Sequence, residues 1–166
     1  MKFLPLVTAL LLVLGLASTI QSSIIQKRTS FGMEGGCSSR IAFEEYQNTT
    51  NCTPQPCHML NLAAEQFDCV DHFPSLFPRN SVLFIEHANN SCDDPKIVSL
   101  INIKFGVCFK HGSSILSKYG LSGAYINFKD CKTIETVMDA YNFGCSHGFN
   151  ETITKSCSNG VSFKCF

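Results

Sequence analysis

Short runs in which apolar and polar residues alternate dominate the chain beyond residue 40. Apolar side chains occupy every second position in 41–43, 82–84, 124–128 and 101–109. A period of two is typical of a strand that buries one face and exposes the other. Clusters of proline, glycine, asparagine and aspartate separate the runs and predict turns. We therefore expect a mainly β fold.

Two stretches depart from this alternation and follow a helical spacing instead. The first stripe consists of Leu60, Ala63, Ala64 and Phe67, and the second of Ile134, Val137, Met138 and Tyr141. These stripes predict one or two short helices within the β fold.

Self-comparison of the chain predicts about three internal repeats, near 41–81, 82–123 and 124–160. Each unit opens with a strand pattern and contains two cysteines in similar places. A final strand over 161–165 resembles the opening of a fourth unit. Units of this size favour a β-trefoil-like or Greek-key-like architecture.

The ten cysteines predict five disulfides, because an even number in a small secreted chain forms a disulfide framework. They are Cys37, Cys52, Cys57, Cys69, Cys92, Cys108, Cys131, Cys145, Cys157 and Cys165. Cross-links of this kind stabilise a small domain by about 2–4 kcal/mol each.

The repeat pattern predicts which cysteines pair. One bridge is expected inside each unit, namely Cys52–Cys69, Cys92–Cys108 and Cys131–Cys145. The remaining four are assigned to Cys37–Cys57 and Cys157–Cys165, and a bridge that joins the two ends of the chain is the alternative.

The first residues have the layout of a secretory signal peptide. Lys2 precedes an apolar stretch over 3–16, and small residues follow it. The stretch is shorter than the roughly 20 apolar residues of a membrane span. We expect residues 1–17 to be removed, or a cut as late as residue 23, and we expect no membrane span in the mature chain.

A dibasic pair, Lys27-Arg28, follows the predicted signal peptide. It is interpreted either as a processing site or as two solvated charges in an unstructured N-terminal segment. In the first case residues 18–28 form a propeptide and the mature chain begins at Thr29. Residues 29–166 are then a single cysteine-rich domain.

Four asparagines lie in acceptor patterns for N-glycosylation: Asn48, Asn51, Asn89 and Asn150. If Cys52 forms a disulfide, Asn51 is a poor acceptor. The four patterns predict exposed loops near these positions.

The balance of charge argues against nucleic acid as a partner. The chain has 13 basic and 13 acidic residues. The basic residues form no prominent cluster in the sequence, so no broad positive field is expected. We expect no cofactor. The expected partner is an extracellular protein or carbohydrate.

Three histidines occupy similar places after cysteines of the three units: His72, His111 and His147. If the units surround a threefold axis, the three imidazoles converge into a zinc-binding geometry with one open position. The favoured alternative is that each histidine lies in a turn, exposed or hydrogen-bonded to local backbone.

Four tyrosines are the sequence candidates for an aromatic binding surface: Tyr46, Tyr119, Tyr125 and Tyr141. No catalytic motif accompanies them. The sequence therefore favours a secreted, non-enzymatic binding, matrix, signalling or effector protein. The alternatives are a small hydrolase or metal-binding protein that uses the three histidines, and a secreted toxin or inhibitor.

Overall fold

A computed structural model describes residues 24–33, 35–60, 63–137, 145 and 148–166. The predicted signal peptide, residues 1–17, and its alternative cut up to residue 23 lie outside the described residues. The signal peptide therefore stays a prediction.

The described residues form twelve strands and one short α-helix. The strands are β1 Ile24–Phe31, β2 Ile41–Thr49, β3 Gln55–Leu60, β4 Ala63–Val70, β5 Ser81–His87, β6 Ile97–Lys104, β7 Phe109–Lys110, β8 Tyr125–Phe128, β9 Thr133–Val137, β10 Phe149–Thr152, β11 Cys157–Ser158 and β12 Val161–Cys165. The helix, α1, spans Ser114–Tyr119, and 3-10 turns occupy Gly36–Ser38 and Ala88–Asn90. The mainly β prediction is confirmed.

Eight strands form one antiparallel sheet in the order β11-β12-β5-β6-β2-β1-β4-β3. Strand β1 lies inside this sheet, between β2 and β4, and pairs with both along most of its length. The final strand, β12, returns to pair with β5. The sheet thus brings together the two ends of the described chain and its middle.

The other four strands form a second sheet in the order β10-β9-β8-β7, which packs against one face of the larger sheet. Phe43, Phe84 and Ile101 from the large sheet meet Phe109 and Phe128 from the small one, and all are fully buried. The rings of Phe43 and Phe109 meet edge to face with centroids 5.1 Å apart. Alternation within each strand directs these residues inward.

The loop over 71–80 covers the opposite face of the large sheet. Phe73 and Phe77 in this loop pack against the buried side chains of Ile25, Tyr46 and Leu100. Both faces of the central strands are therefore occupied at this end, which explains why adjacent residues such as Leu83 and Phe84 are both buried.

Helix α1 packs against β5, β6, β11 and β12 of the large sheet and buries Ile115, Leu116 and Tyr119. It ends at Gly120, whose φ of 108° is the left-handed conformation that glycine adopts at helix ends. Lys118 lies in the last turn, where a cation interacts favourably with the helix dipole.

The helices predicted from the two stripes are wrong in their positions. The first stripe lies at the end of β3 and in β4, which form an antiparallel pair that includes Leu60 opposite Ala63. Ile134 and Val137 of the second stripe lie in β9. Met138 and Tyr141 lie outside the described residues.

All ten cysteines form disulfides, as predicted, but three of the five predicted pairs are wrong. Cys37–Cys57 and Cys52–Cys69 are confirmed. The other bridges are Cys92–Cys157, Cys108–Cys145 and Cys131–Cys165. The reason is the return of the chain end: β11 and β12 join the large sheet beside β5 and carry Cys157 and Cys165 to distant partners.

The predicted repeat architecture is not confirmed. Residues 41–81 and 82–123 contribute most of their strands to the large sheet, whereas 124–160 build most of the small sheet. Bridges also cross between the proposed units. The described strands thus form two packed sheets of unequal size and not three equivalent units.

Among the residues described above, no helix is long and apolar enough to cross a bilayer. Five disulfides in a domain of this size are typical of extracellular proteins.

Candidate functional site

A row of polar side chains lies on the inward face of the large sheet, beyond the edge of its apolar core. In the β1–β2 register Arg28 lies opposite Glu45, and Gln26 lies opposite Gln47. Residues two apart on a strand share a face. These four side chains therefore form one polar patch.

Strand β4 adds two further side chains to this patch. Phe67 lies opposite Arg28 on the other side of β1, and Glu65 lies opposite Ser30, two residue pairs further along and on the same face. The ring of Phe67 stacks on His58 of β3, with centroids 6.2 Å apart and an interplanar angle of 24°. The patch therefore combines a cation, two carboxylates, two amides and an aromatic ring.

Arg28 holds the patch together. Its Nη1 donates to Glu45 Oε2 at 3.1 Å and to the Gly112 carbonyl at 3.1 Å, and its Nη2 donates to Glu65 Oε1. The guanidinium also lies over the ring of Phe43, 5.3 Å from the centroid. One cation thus links β1, β2, β4 and the loop that precedes α1.

This ion-pair network is substantially buried. The side chains of Arg28, Glu45 and Glu65 expose 20%, 12% and 10% of their surface. Burial raises the pKa of the Glu45 carboxyl above its ordinary value, although the Ser113 hydroxyl and Arg28 both favour the ionised form. Burial alone would lower the pKa of Arg28, but Glu65 and Glu45 raise it overall, so this residue stays charged.

The loop before α1 forms the wall of the patch. Ser113 is buried and donates from Oγ to Glu45 Oε1 at 2.8 Å. Gly112 fits closely, since a Cβ atom at this position would lie 3.3 Å from Nη2 of Arg28. The sheet and this loop thus line an open cleft of about 280 Å³, and Ser114 also lines it. We refer to it as the Arg28 cleft.

A second cleft of about 360 Å³ lies beside the end of α1, near β10 and β11. Tyr119, Leu121 and Ile153 contribute apolar surface, and backbone and hydroxyl groups over 152–155 contribute polar surface. The Arg28 cleft is the stronger candidate because charged side chains converge in it, which is a common property of binding sites.

The structure does not support the argument for a three-histidine metal site. His72 is exposed in the bend after β4, and His111 follows β7 with its Nε2 buried and unpartnered among the described residues. His147 lies outside the described residues. No group of three or more histidine, cysteine or acidic residues in the described part of the chain is arranged to hold a metal ion. The three-histidine site stays a prediction whose basis, the repeat, is not confirmed.

The tyrosines proposed as an aromatic surface are buried. Tyr46, Tyr119 and Tyr125 expose 7%, 7% and 3% of their surface, and Tyr141 lies outside the described residues. Tyr119 donates its hydroxyl hydrogen to the Lys155 carbonyl. A buried tyrosine of this kind belongs to the core and satisfies its hydroxyl internally.

The dibasic pair occupies the middle of β1, so the interpretation as solvated charges in an unstructured segment is wrong. Lys27 points to the face opposite Arg28 and pairs with Glu44, with Nζ and Oε1 2.7 Å apart. Its ammonium also lies 5.9 Å from the ring centroid of Tyr46. Both basic residues have partners on a neighbouring strand.

The four sequon asparagines differ in their surroundings. Asn51, Asn89 and Asn150 are exposed. Asn48 is half-buried and donates from Nδ2 to the Ile97 carbonyl at 3.3 Å. The neighbour of Asn51, Cys52, is bridged to Cys69.

Sequence reasoning missed the Arg28 cleft because it treats Lys27-Arg28 either as a processing site or as two solvated charges, and both interpretations leave 18–28 outside the fold. The available signal was the spacing of polar residues two apart, with Gln26 and Arg28 on one strand and Glu45 and Gln47 on the next. That spacing defines a shared face only once both segments are known to be paired strands.

Comparison of the chain with models of protein families, with curated proteins and with solved structures finds no match. The geometry of the Arg28 cleft is therefore the basis for inferring a function.

Proposed function

We propose that the protein is secreted and acts outside the cell as a non-enzymatic binding protein whose ligand occupies the Arg28 cleft. The observation that carries this proposal is the convergence of Arg28, Glu45 and Glu65 in an open cleft. The side chains stand on three hydrogen-bonded strands and are held in place by each other. A site fixed in this way loses little conformational entropy when a ligand binds.

The disulfides support an extracellular role. Each bridge connects a loop or an end of the chain to another segment, and Cys131–Cys165 links the small sheet to the large one. Disulfides of this density persist only in an oxidising compartment. The predicted signal peptide, residues 1–17, provides the route to it.

Glycosylation at Asn89 and Asn150 is part of the proposal. Both asparagines are exposed, and the acceptor pattern is complete at each. Asn89 donates from Nδ2 to Asp94 Oδ2 at 2.8 Å, but it is exposed and water can replace this bond. Asn48 is half-buried and donates to the Ile97 carbonyl, and the Cys52 bridge constrains Asn51. We therefore expect glycans at Asn89 and Asn150, and none at Asn51.

A binding role is favoured over a histidine-based hydrolase, because His72 and His111 do not lie in the Arg28 cleft. A toxin or inhibitor role is the remaining alternative. A toxin or inhibitor also binds a target, so it differs from the proposal only in the effect that binding has on that target.

The experiment compares the secreted full-length protein with two variants that add the same charge. Gln47→Arg places a long cation in the Arg28 cleft, and Ser75→Arg places one in the exposed loop on the opposite face. Each protein is labelled with a fluorophore and incubated with a panel of intact animal, plant, fungal and bacterial cells. Thermal unfolding verifies that both variants fold.

We expect saturable binding of the wild-type protein to at least one cell type, lost in Gln47→Arg and retained in Ser75→Arg. Equal binding by all three proteins would contradict a role for the Arg28 cleft. Absence of saturable binding across the panel would contradict the binding function itself.

A further inference from the structure

We propose that the ligand of the Arg28 cleft is a neutral carbohydrate, meaning a glycan end without a carboxylate, sulfate or phosphate. This inference rests on the proposed binding function and specifies its ligand. It follows from three properties of the cleft: internally paired charge, two amides opposite each other, and an aromatic ring at the rim.

The charges of the cleft pair with one another within the protein, although one cation serves two carboxylates and Arg28 Nε forms no hydrogen bond with the described residues. Arg28 donates to Glu45, to Glu65 and to the Gly112 carbonyl. An anionic ligand would be repelled by the carboxylates of Glu45 and Glu65. It could bind the cation of the network, Arg28, only by displacing these carboxylates. A strongly anionic ligand is therefore disfavoured, in contrast to sites where arginines lie free to bind phosphate or carboxylate.

A cationic ligand is also disfavoured. The two carboxylates share Arg28, and the Ser113 hydroxyl donates a further hydrogen bond to Glu45. A cation that approached either carboxylate would lie beside the charged guanidinium of Arg28, which already pairs with both. This repulsion offsets the attraction left by the second carboxylate.

The hydrogen-bonding groups of the cleft fit a polyhydroxylated ligand. The side chains of Gln26 and Gln47 project from directly opposite positions, where Cβ atoms are about 4.5–5.5 Å apart. Each amide offers two N–H donors and one acceptor oxygen. Among the described residues, neither amide group forms a side-chain hydrogen bond within the protein, and Gln47 is exposed. Neighbouring sugar hydroxyls, which both donate and accept, match such a set.

Phe67 supplies the apolar part of the site. One face of its ring stacks on His58, and the ring lines the cleft beside Arg28. The C–H face of a pyranose ring is apolar and packs on an aromatic ring, while its hydroxyls point outward to the polar groups. A volume of about 280 Å³ suits the terminal one or two sugar rings of a glycan rather than a folded protein surface.

The test uses two probes and one additional variant. The first probe is the cell panel with its surface glycans destroyed by periodate oxidation. The second is a printed array of free neutral, sialylated, sulfated and phosphorylated glycans. Gln47→Ala removes the amide together with the Cγ methylene, and Ser75→Ala is the control on the opposite face.

We expect periodate to abolish cell binding, and we expect the array to show binding of neutral glycans. Gln47→Ala should weaken that binding by roughly fivefold to tenfold, the usual effect of losing one or two hydrogen bonds, and Ser75→Ala should leave it unchanged. Because these sites are shallow, dissociation constants in the micromolar to millimolar range are expected.

The failure of this inference is distinguishable from the failure of the binding function. If Gln47→Arg abolishes cell binding but periodate does not, the ligand is not a carbohydrate and the binding function stands. Array binding restricted to sialylated, sulfated or phosphorylated glycans, or no array binding, would also overturn the inference. If Gln47→Arg leaves cell binding intact, both proposals fail.

Discussion

Arg28 on β1 and Glu45 on β2 lie directly opposite each other, and Nη1 of the arginine donates to Oε2 of the glutamate at 3.1 Å. The same guanidinium reaches Glu65 on β4 on the other side. A basic residue that belongs to an apparent processing signal in the sequence is therefore the centre of an ion-pair network in the fold. The stability and the binding role of this network lead to separate predictions.

Replacing Arg28 by methionine should lower the free energy of unfolding by about 2–3 kcal/mol at pH 7. The substitution retains most of the apolar contact with Phe43 but leaves Glu45 and Glu65 buried without their cation, which is the costly way to break a buried ion pair. The loss should shrink as the pH falls and the Glu45 carboxyl, whose pKa burial raises, becomes protonated. Denaturant unfolding with the disulfides intact measures both effects.

The matched control for this prediction is Arg40→Met, because Arg40 is exposed. It should change the free energy of unfolding by less than about 0.5 kcal/mol. Combining Arg28→Met with Glu45→Gln and Glu65→Gln should restore part of the lost stability. A triple variant that is less stable than Arg28→Met would show that unpaired carboxylates are not the cause.

The mature protein should retain all of β1, so it should begin no later than Ile24. Cleavage after Arg28 would remove Ile24–Arg28 from the interior of the large sheet, together with the cation of the cleft. Intact-mass measurement after enzymatic deglycosylation should give a chain that begins between Ser18 and Ile24. A mature chain that begins at Thr29 would contradict the account of both β1 and the cleft.

Removing the Cys92–Cys157 bridge should destabilise the protein more than removing Cys52–Cys69. The two bridges span 65 and 17 residues, and the chain-entropy model predicts losses of about 4 and about 3 kcal/mol. The variants are Cys92→Ala with Cys157→Ala, and Cys52→Ala with Cys69→Ala. Thermal unfolding compares them, and a larger loss from the shorter bridge would indicate that strain or local contacts outweigh loop entropy.

Glu86 should contribute to a decline of stability in acid. Burial alone would raise the pKa of Glu86, but hydrogen bonds from Lys118 and Ser99 outweigh it and lower the pKa below its ordinary value of 4.5. A carboxyl with a lowered pKa stabilises the fold above pH 4.5, and this contribution is lost as the pH falls through the lowered pKa. Glu86→Gln should therefore flatten stability against pH below pH 4.5.

The Lys118–Glu86 pair, with Nζ and Oε1 2.6 Å apart, provides the check on this origin. Lys118→Met should flatten the same part of the profile, and the double variant should add little to either single one. The pair joins α1 to β5. Additive effects of the two substitutions would show that the acid sensitivity arises elsewhere.

Local patterns were sufficient to predict strands in which every second residue is buried in the core between the two sheets. The alternation over 82–84 and 101–103 reflects side chains that meet the small sheet, and the Cys52–Cys69 bridge joins segments that are near in sequence. The strands are predictable because burial of a face produces a local pattern in the sequence, and the bridge is predictable because its two cysteines are close in sequence.

Long-range pairing and strand β1 could not be predicted in this way. The return of β12 to β5 depends on the packing of the whole sheet, and it determines the partners of Cys157 and Cys165. In β1 the buried residues include Thr29 and Ser30, so hydrophobic alternation does not mark the strand. The stripe from Leu60 to Phe67 has the spacing of a helix although it is not one. It contains the end of β3 and the first part of β4, which are two adjoining strands.

The most direct test of the central claim is to locate the ligand on the protein by NMR. The ¹⁵N-labelled protein is titrated with the neutral oligosaccharide that binds most strongly on the array. We predict that the side-chain amide signals of Gln26 and Gln47 and the backbone amide of Gly112 shift together and saturate with one dissociation constant. Shifts confined to Leu121 and Ile153, beside the second cleft, or absence of saturable shifts would contradict the assignment of the Arg28 cleft as the binding site.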